Sequence, residues 1–134
     1  MDQWNVYKAI VAAGGATASY LFGGWSSLLG VLLTFVVADY VTGMMAAGVE
    51  GGLNSEVGMK GIPKKVCIFI LVAVANLVDT SIGDAHFFRD ATIFFYLANE
   101  LLSIIENIGR IGLPIPDAIK KAVEVLGGKG KAGK

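Results

Sequence analysis

The stretch from Ala91 to Pro116, ATIFFYLANELLSIIENIGRIGLPIP, limits what this chain can become more than any other. It is apolar enough to enter a bilayer. It also places Thr92, Tyr96, Asn99, Ser103, Glu106 and Arg110 at alternating steps of four and three. On a helix that spacing puts all six on one face, which Glu100 and Asn107 widen. Phe94, Phe95, Leu101, Leu102, Ile104, Ile105 and Ile108 cover the remainder. Ionised groups at hydrocarbon depth are costly and normally face protein or a water-filled cavity. The spacing therefore predicts an amphipathic membrane helix over 91–111 whose polar face meets a neighbour or water.

Composition agrees with a membrane class. Of 134 residues, 54% are hydrophobic and 16% charged, more apolar surface than a soluble domain of this size hides. The formal net charge is zero, so no basic surface points to nucleic acid. Cys67 and His86 are each alone in the chain. That excludes an internal disulfide and leaves no convergent metal-ligand set, and no cofactor is expected.

From Ala9 to Val49 the only charged residue is Asp39, a run long enough for roughly two crossings. Gly23-Gly24-Trp25 divides it into a short helix over 9–22 and a spanning helix over 26–47. A signal peptide cleaved after Ala16-Thr17-Ala18 is the competing reading of the first piece, weakened by Asp2 offsetting Lys8. In the second, Gly43 and Ala47 are small residues suited to a close helix–helix seam. Asp39 is expected to be satisfied by Thr42 or a neighbouring helix, or to act in gating. Glu50 to Lys65 is expected to be a polar, glycine-rich connector, with Pro63 in the first turn of the next helix. A third apolar helix follows over 66–83, interrupted by Asn76 and Asp79, then a loop from Ser81 to Asp90. Beyond Pro116 an amphipathic helix is expected over 117–126, with Ile119, Ala122, Val123 and Leu126 on one face. Gly127-Gly128 should end it and leave a basic tail over 127–134.

Lysine placement suggests an orientation. Lys60, Lys64 and Lys65 in the connector, and the lysines of the tail, should both be cytoplasmic. Two crossings between them satisfy this; a crossing by 9–22 would make four in all. The fold class expected is thus an all-α integral membrane protein, with three to four transmembrane helices and a short C-terminal amphipathic helix.

No enzyme constellation is present: there is no phosphate-binding glycine loop, no HExxH and no G-x-S-x-G. The acids Asp39, Asp79, Glu100 and Glu106 are scattered without a histidine partner. Four ordered blocks, ADYVTGMMAAG, LNSEVGMKGIPKK, VAVANLVD and FFYLANELLSIIENIGRIGLPIP, together with the upstream GGW, resemble the phage lysis and toxin-secretion holins, a family of small bacteriophage holins that includes the clostridial toxin-export holins. The similarity runs from Gly23 to Pro116. By position, Asp39, Tyr40, Thr42 and Gly43 fill one motif. Gly58, Lys60, Gly61, Lys64 and Lys65 fill the glycine-lysine block. Asn99, Glu100, Ser103, Glu106, Asn107, Gly109, Pro114 and Pro116 fill the last.

The resemblance implies a small, non-enzymatic, multi-pass protein of the bacterial cytoplasmic membrane, embedded in lipid and with its C-terminus inside. It implies a homo-oligomer that permeabilises the membrane, with a muralytic endolysin or an exported toxin as functional partner. On the physical reading, Thr92, Tyr96, Asn99, Glu100, Ser103, Glu106, Asn107 and Arg110 line a pore or a subunit contact. Asp39, Thr42, Gly43, Ala47 and Asp79 serve helix packing or gating, and Lys60, Lys64 and Lys65 form a cytoplasmic loop. An antiholin-like regulator shares these motifs. A small proton-coupled transporter needs an acid near the middle of its first helix, which Ala9 to Ala38 lacks. A final helix lying flat on the bilayer is a further alternative.

Overall fold

A computed structural model describes residues 2–83 and 85–131. Five helices follow one another: α1 (Gln3–Phe22), α2 (Ser27–Val49), α3 (Ser55–Ile82), α4 (Phe87–Ile111) and α5 (Asp117–Lys131). The described residues contain no strand. α2, α3 and α4 are each long and apolar enough to cross a bilayer, whereas α1 is not in that class. α2 packs mainly on α4, α3 also packs on α4, and α2 and α3 touch only slightly. α4 is therefore the centre of the bundle.

Local chemistry sets the helix ends. Asp2 caps α1 by accepting the Trp4 amide. Ser26 caps α2 through the Leu29 amide at 3.1 Å, and Asn54 caps α3 through the Val57 amide at 2.9 Å. Such caps satisfy amides that the first turn leaves without partners. α4 is capped from a distance. Its preceding residue, His86, sits at φ 66° and gives no side-chain cap. Instead Asp79 near the end of α3 accepts the Phe88 amide with Oδ1 and the Arg89 amide with Oδ2, each at 2.8 Å. Gly112, in the left-handed conformation, ends α4 ahead of Pro114 and Pro116.

Several expected boundaries move. α1 begins at Gln3 rather than Ala9, because Asp2 supplies a cap ahead of Trp4 and Tyr7. The connector expected over Glu50 to Lys65 shrinks to 50–54, since the Asn54 cap starts α3 early. Pro63 then lies inside α3 rather than in its first turn. A proline there forgoes the bond to the carbonyl four residues back; nearby, the Tyr40 hydroxyl donates to the Gly58 carbonyl at 3.1 Å. Lys60, Lys64 and Lys65 are consequently helical, not in a loop. The Asp79 cap likewise starts α4 at Phe87 instead of Ala91. α5 continues through Gly127-Gly128 to Lys131, because glycine weakens a helix without forbidding it. The side chains of Val123 and Leu126, part of the expected apolar face, and residues 132–134 of the basic tail lie outside the described residues.

The interior is mixed and the surface apolar. Among the described residues, eight apolar side chains are buried, and so are Asp39, Asn76, Asp79, Arg89, Glu100 and Asn107. Six of the eight form one cluster: Leu29, Leu32, Val36, Ile68, Val72 and Ile93. Outside, Val37, Val41, Ile70, Val74, Phe94 and Phe95 are all exposed. A water-soluble bundle does the reverse; lipid as solvent accounts for the inversion.

Candidate functional site: a polar chain through the bundle

Below the apolar cluster, three helices bring charged groups together. Lys65 of α3 reaches between α2 and α4. Its ammonium donates to the Asp39 carboxylate and, at 2.8 Å, to Glu100 Oε2. Asp39 lies twelve positions from Ser27 and ten from Val49, so the cluster sits near the middle of its helix. All three side chains are largely withdrawn from the surface. Two carboxyl groups thus converge on one ammonium in a region of low dielectric, where each group depends on the others.

The polar contacts continue along α4. The Asn107 amide donates to Asp39 Oδ1 at 2.9 Å, to the Asp39 carbonyl at 3.2 Å and to Thr42 Oγ1 at 3.0 Å. Thr42 in turn donates to the Ala38 carbonyl at 2.8 Å. Arg110 donates to Asn107 Oδ1 at 3.4 Å and grips Glu50 through two bonds of 2.6 and 3.3 Å. Glu50 follows α2 and is exposed; the Arg110 hydrogen bond holds its carboxyl below the ordinary carboxylate value. The sequence Glu50, Arg110, Asn107, Asp39, Lys65, Glu100 is therefore one continuous chain from a helix end to mid-helix. A cleft of about 240 Å³ runs beside it, with Asp39, Lys65, Ser103, Asn107 and Arg110 in its wall.

A second polar cluster closes the opposite end. Arg89 donates to the Phe22 carbonyl at 2.9 Å and to the Gly23 carbonyl at 3.3 Å. Asn76 donates to the Leu21 carbonyl at 3.0 Å. These are the orphan carbonyls of α1's last turn. Gly23, at φ 72°, is required there: a Cβ would run into Asn76 and the His86 ring. α1 buries none of its residues and is held at this end.

The expected site residues divide accordingly. Glu100 and Asn107, taken from sequence as the margin of the polar face, are the ones that turn inward. Of the six-residue ladder, Thr92, Tyr96 and Ser103 are half-buried and Asn99, Glu106 and Arg110 exposed. The ladder runs along the flank of α4. Thr92 donates to the Phe88 carbonyl of its own helix at 2.7 Å. Gly43 faces Asn107 within the same chain: a Cβ there would stand 3.4 Å from Asn107 Nδ2. Ala47 is buried and lines the cleft. Asp79 is the cap of α4. Lys60 pairs with Glu56 at 3.2 Å on the surface, and Lys64 is exposed. Asp39 finds its partners on neighbouring helices. Sequence reasoning missed Lys65 as the centre of the cluster and Arg89 as the clamp on α1. Asn54-Ser55-Glu56, a cap followed by an acid, was the available signal for Lys65.

Comparison with known proteins bears on what this arrangement is for. A model of the bacteriophage holin family matches residues 16–128, which include all of α2, α3 and α4. An uncharacterized protein of Halalkalibacterium halodurans is 49% identical over 133 residues, covering 96% of this chain and 97% of that protein. An uncharacterized 14.9 kDa protein of Clostridium perfringens is 34% identical, covering 93% and 96%. A probable holin of Bacillus phage phi105 is 36% identical over 108 residues, covering 81% and 79%. No solved structure matches. With the matched region spanning every helix that carries the polar chain, the protein is membrane-embedded and belongs to the bacteriophage holin family.

Proposed function

We propose that this protein oligomerises in the bacterial cytoplasmic membrane and permeabilises it, without enzymatic chemistry, so that an endolysin or a toxin leaves the cell. One observation carries the reading. α4 turns Glu100 and Asn107 into the protomer, sets Ser103 in the cleft wall and leaves Asn99 and Glu106 along its flank within the span, where lipid cannot solvate them. Such a helix has two satisfactory surroundings, a neighbouring protein in a closed cluster and water in an open lesion. The ends of α2, α3 and α4 that carry Lys60, Lys64 and Arg110 are assigned to the cytoplasm, and α5 with Lys120 and Lys121 to the same side. Inducing the protein in a bacterium, with and without a co-expressed endolysin, tests the reading. Membrane potential should collapse in both cultures, and lysis should be rapid only with the endolysin. Sustained potential and normal growth on expression alone refute it and leave a regulator of another pore.

A further inference from the structure

We propose that the outer flank of α4 is a self-complementary seam, by which two copies of this chain meet in parallel with Asn99 against Asn99. Asn99 is the central residue of α4, twelve positions from Phe87 and twelve from Ile111. It therefore lies roughly 18 Å from either helix end, near the bilayer midplane. Its side chain is exposed and its amide has no partner among the described residues. Hydrocarbon offers none.

The partner is identified by what asparagine is and by how membrane proteins are oriented. A primary amide both donates and accepts, so it is complementary to another primary amide. All copies enter the membrane with one topology, so their α4 helices are parallel and every Asn99 sits at one depth. A two-fold axis along the membrane normal then brings the pair together. The surrounding spacing fits such a contact. Thr92, Phe95, Asn99, Leu102, Glu106 and Gly109 recur at alternating three and four, the repeat of a left-handed helix pair, in which a central asparagine fixes register.

Shape agrees with the polar match. Phe95 is 60% exposed and stands at the rim of an apolar groove of about 620 Å³ between α3 and α4. Leu71, Val74, Val78, Phe88 and Thr92 line its walls. Because the groove lies at the depth of Phe95, a parallel second copy presents its own Phe95 to it. The same contact is made twice across the axis.

The proposal deepens the function proposed above and rests on its membrane placement. Cys67, the one cysteine, is first replaced by Ser in the full-length protein. Single cysteines are then introduced along α4 and membranes are treated with a lipid-soluble oxidant. Cross-linked dimers are expected at Thr92→Cys, Phe95→Cys and Leu102→Cys, and not at Phe94→Cys, Leu101→Cys or Ile105→Cys. In the Leu102→Cys background, Asn99→Leu should lower the dimer yield about tenfold, as loss of two interhelical amide bonds predicts, while Asn99→Gln retains it. Cross-linking that peaks at positions 94, 101 and 105, dimers absent throughout, or Asn99→Leu without effect overturns the seam. Dimers in the expected phase from cells that keep their potential leave the seam standing and count against permeabilisation alone; lysis without them does the opposite.

Discussion

Lys65 and Glu100, thirty-five residues apart in the chain, are joined by a 2.8 Å ion pair that locks α3 to α4, and the same ammonium holds Asp39 of α2. α2 and α3 barely touch elsewhere. Lys65, together with the Tyr40 hydroxyl on the Gly58 carbonyl, therefore supplies the polar ties between the first spanning helix and the second.

Replacing Lys65 by Met removes the counter-charge from two buried carboxyl groups. Breaking a buried pair from one side costs about 3–5 kcal/mol, because the orphaned charge remains. The variant should melt well below the parent protein in detergent micelles, followed by helical circular dichroism. Adding Asp39→Asn and Glu100→Gln should recover most of the loss, since amides in place of carboxylates leave no net buried charge. Equal melting of parent and Lys65→Met would show that the triad contributes no stability.

Gly43 leaves the space that Asn107 fills. A Cβ at 3.4 Å from Asn107 Nδ2 is ordinary contact, so Gly43→Ala should be tolerated and gains helix propensity of up to about 1 kcal/mol. Gly43→Leu has no such room. It should push Asn107 off Asp39 and destabilise the α2–α4 pair by about 1–3 kcal/mol. The effect belongs within the protomer: detergent melting should fall for Leu and not for Ala. A normal melting temperature with lost cross-linked oligomers would instead place Gly43 between subunits.

The Glu50–Arg110 pair is exposed and responds to pH. The Glu50 carboxyl is held below its ordinary value of 4.5 by the Arg110 hydrogen bond. A lowered carboxyl stabilises the fold above its unfolded value and loses that contribution as pH falls through the folded one. Glu50→Gln should therefore melt slightly below the parent at about pH 6, and the difference should shrink as pH falls below 4.5. Salt should shrink the difference at the higher pH, as exposed pairs are screened. A difference that grows on acidification reverses the assigned sign.

The sequence made some of this readable and hid the rest for physical reasons. The α2 run with its lone Asp39, and the stop of α4 at Gly112 and two prolines, follow from local composition. That Asp39 needs a neighbouring helix follows from its depth. Lys65 was misread because it adjoins the Val66 run and follows Pro63, which looked like a helix start. Once Asn54 is the cap, Lys65 stands three turns into α3 and can face Asp39. Periodicity located the polar face of α4 but not which part of it turns inward. Thr92 to Arg110 and Glu100 with Asn107 differ by less than a quarter turn. That choice was made by Asp39 and Lys65, on helices no α4 pattern can report. Asp79 was recognisable as a buried acid; its role as a cap for the following helix depends on the tight turn at Gly83.

Ser103 and Glu106 separate the two surroundings proposed for α4. Ser103 lines the cleft beside Asp39 and Lys65, and Glu106 is on the exposed flank. Replacing Glu106 by Leu makes the flank, and replacing Ser103 by Leu makes the cleft wall, less compatible with water. Insertion should not suffer, because Leu is easier to place in hydrocarbon than either the Ser103 hydroxyl or the Glu106 carboxylate. Opening should suffer, because a water-lined state loses a polar wall and gains an apolar one. Ser103→Leu and Glu106→Leu should therefore reach the membrane at parental levels and fail to depolarise it, or do so after a long delay. Membrane fractionation measures the first quantity and a potential-sensitive dye the second. Depolarisation on the parental schedule by both variants would mean that this flank of α4 never faces water.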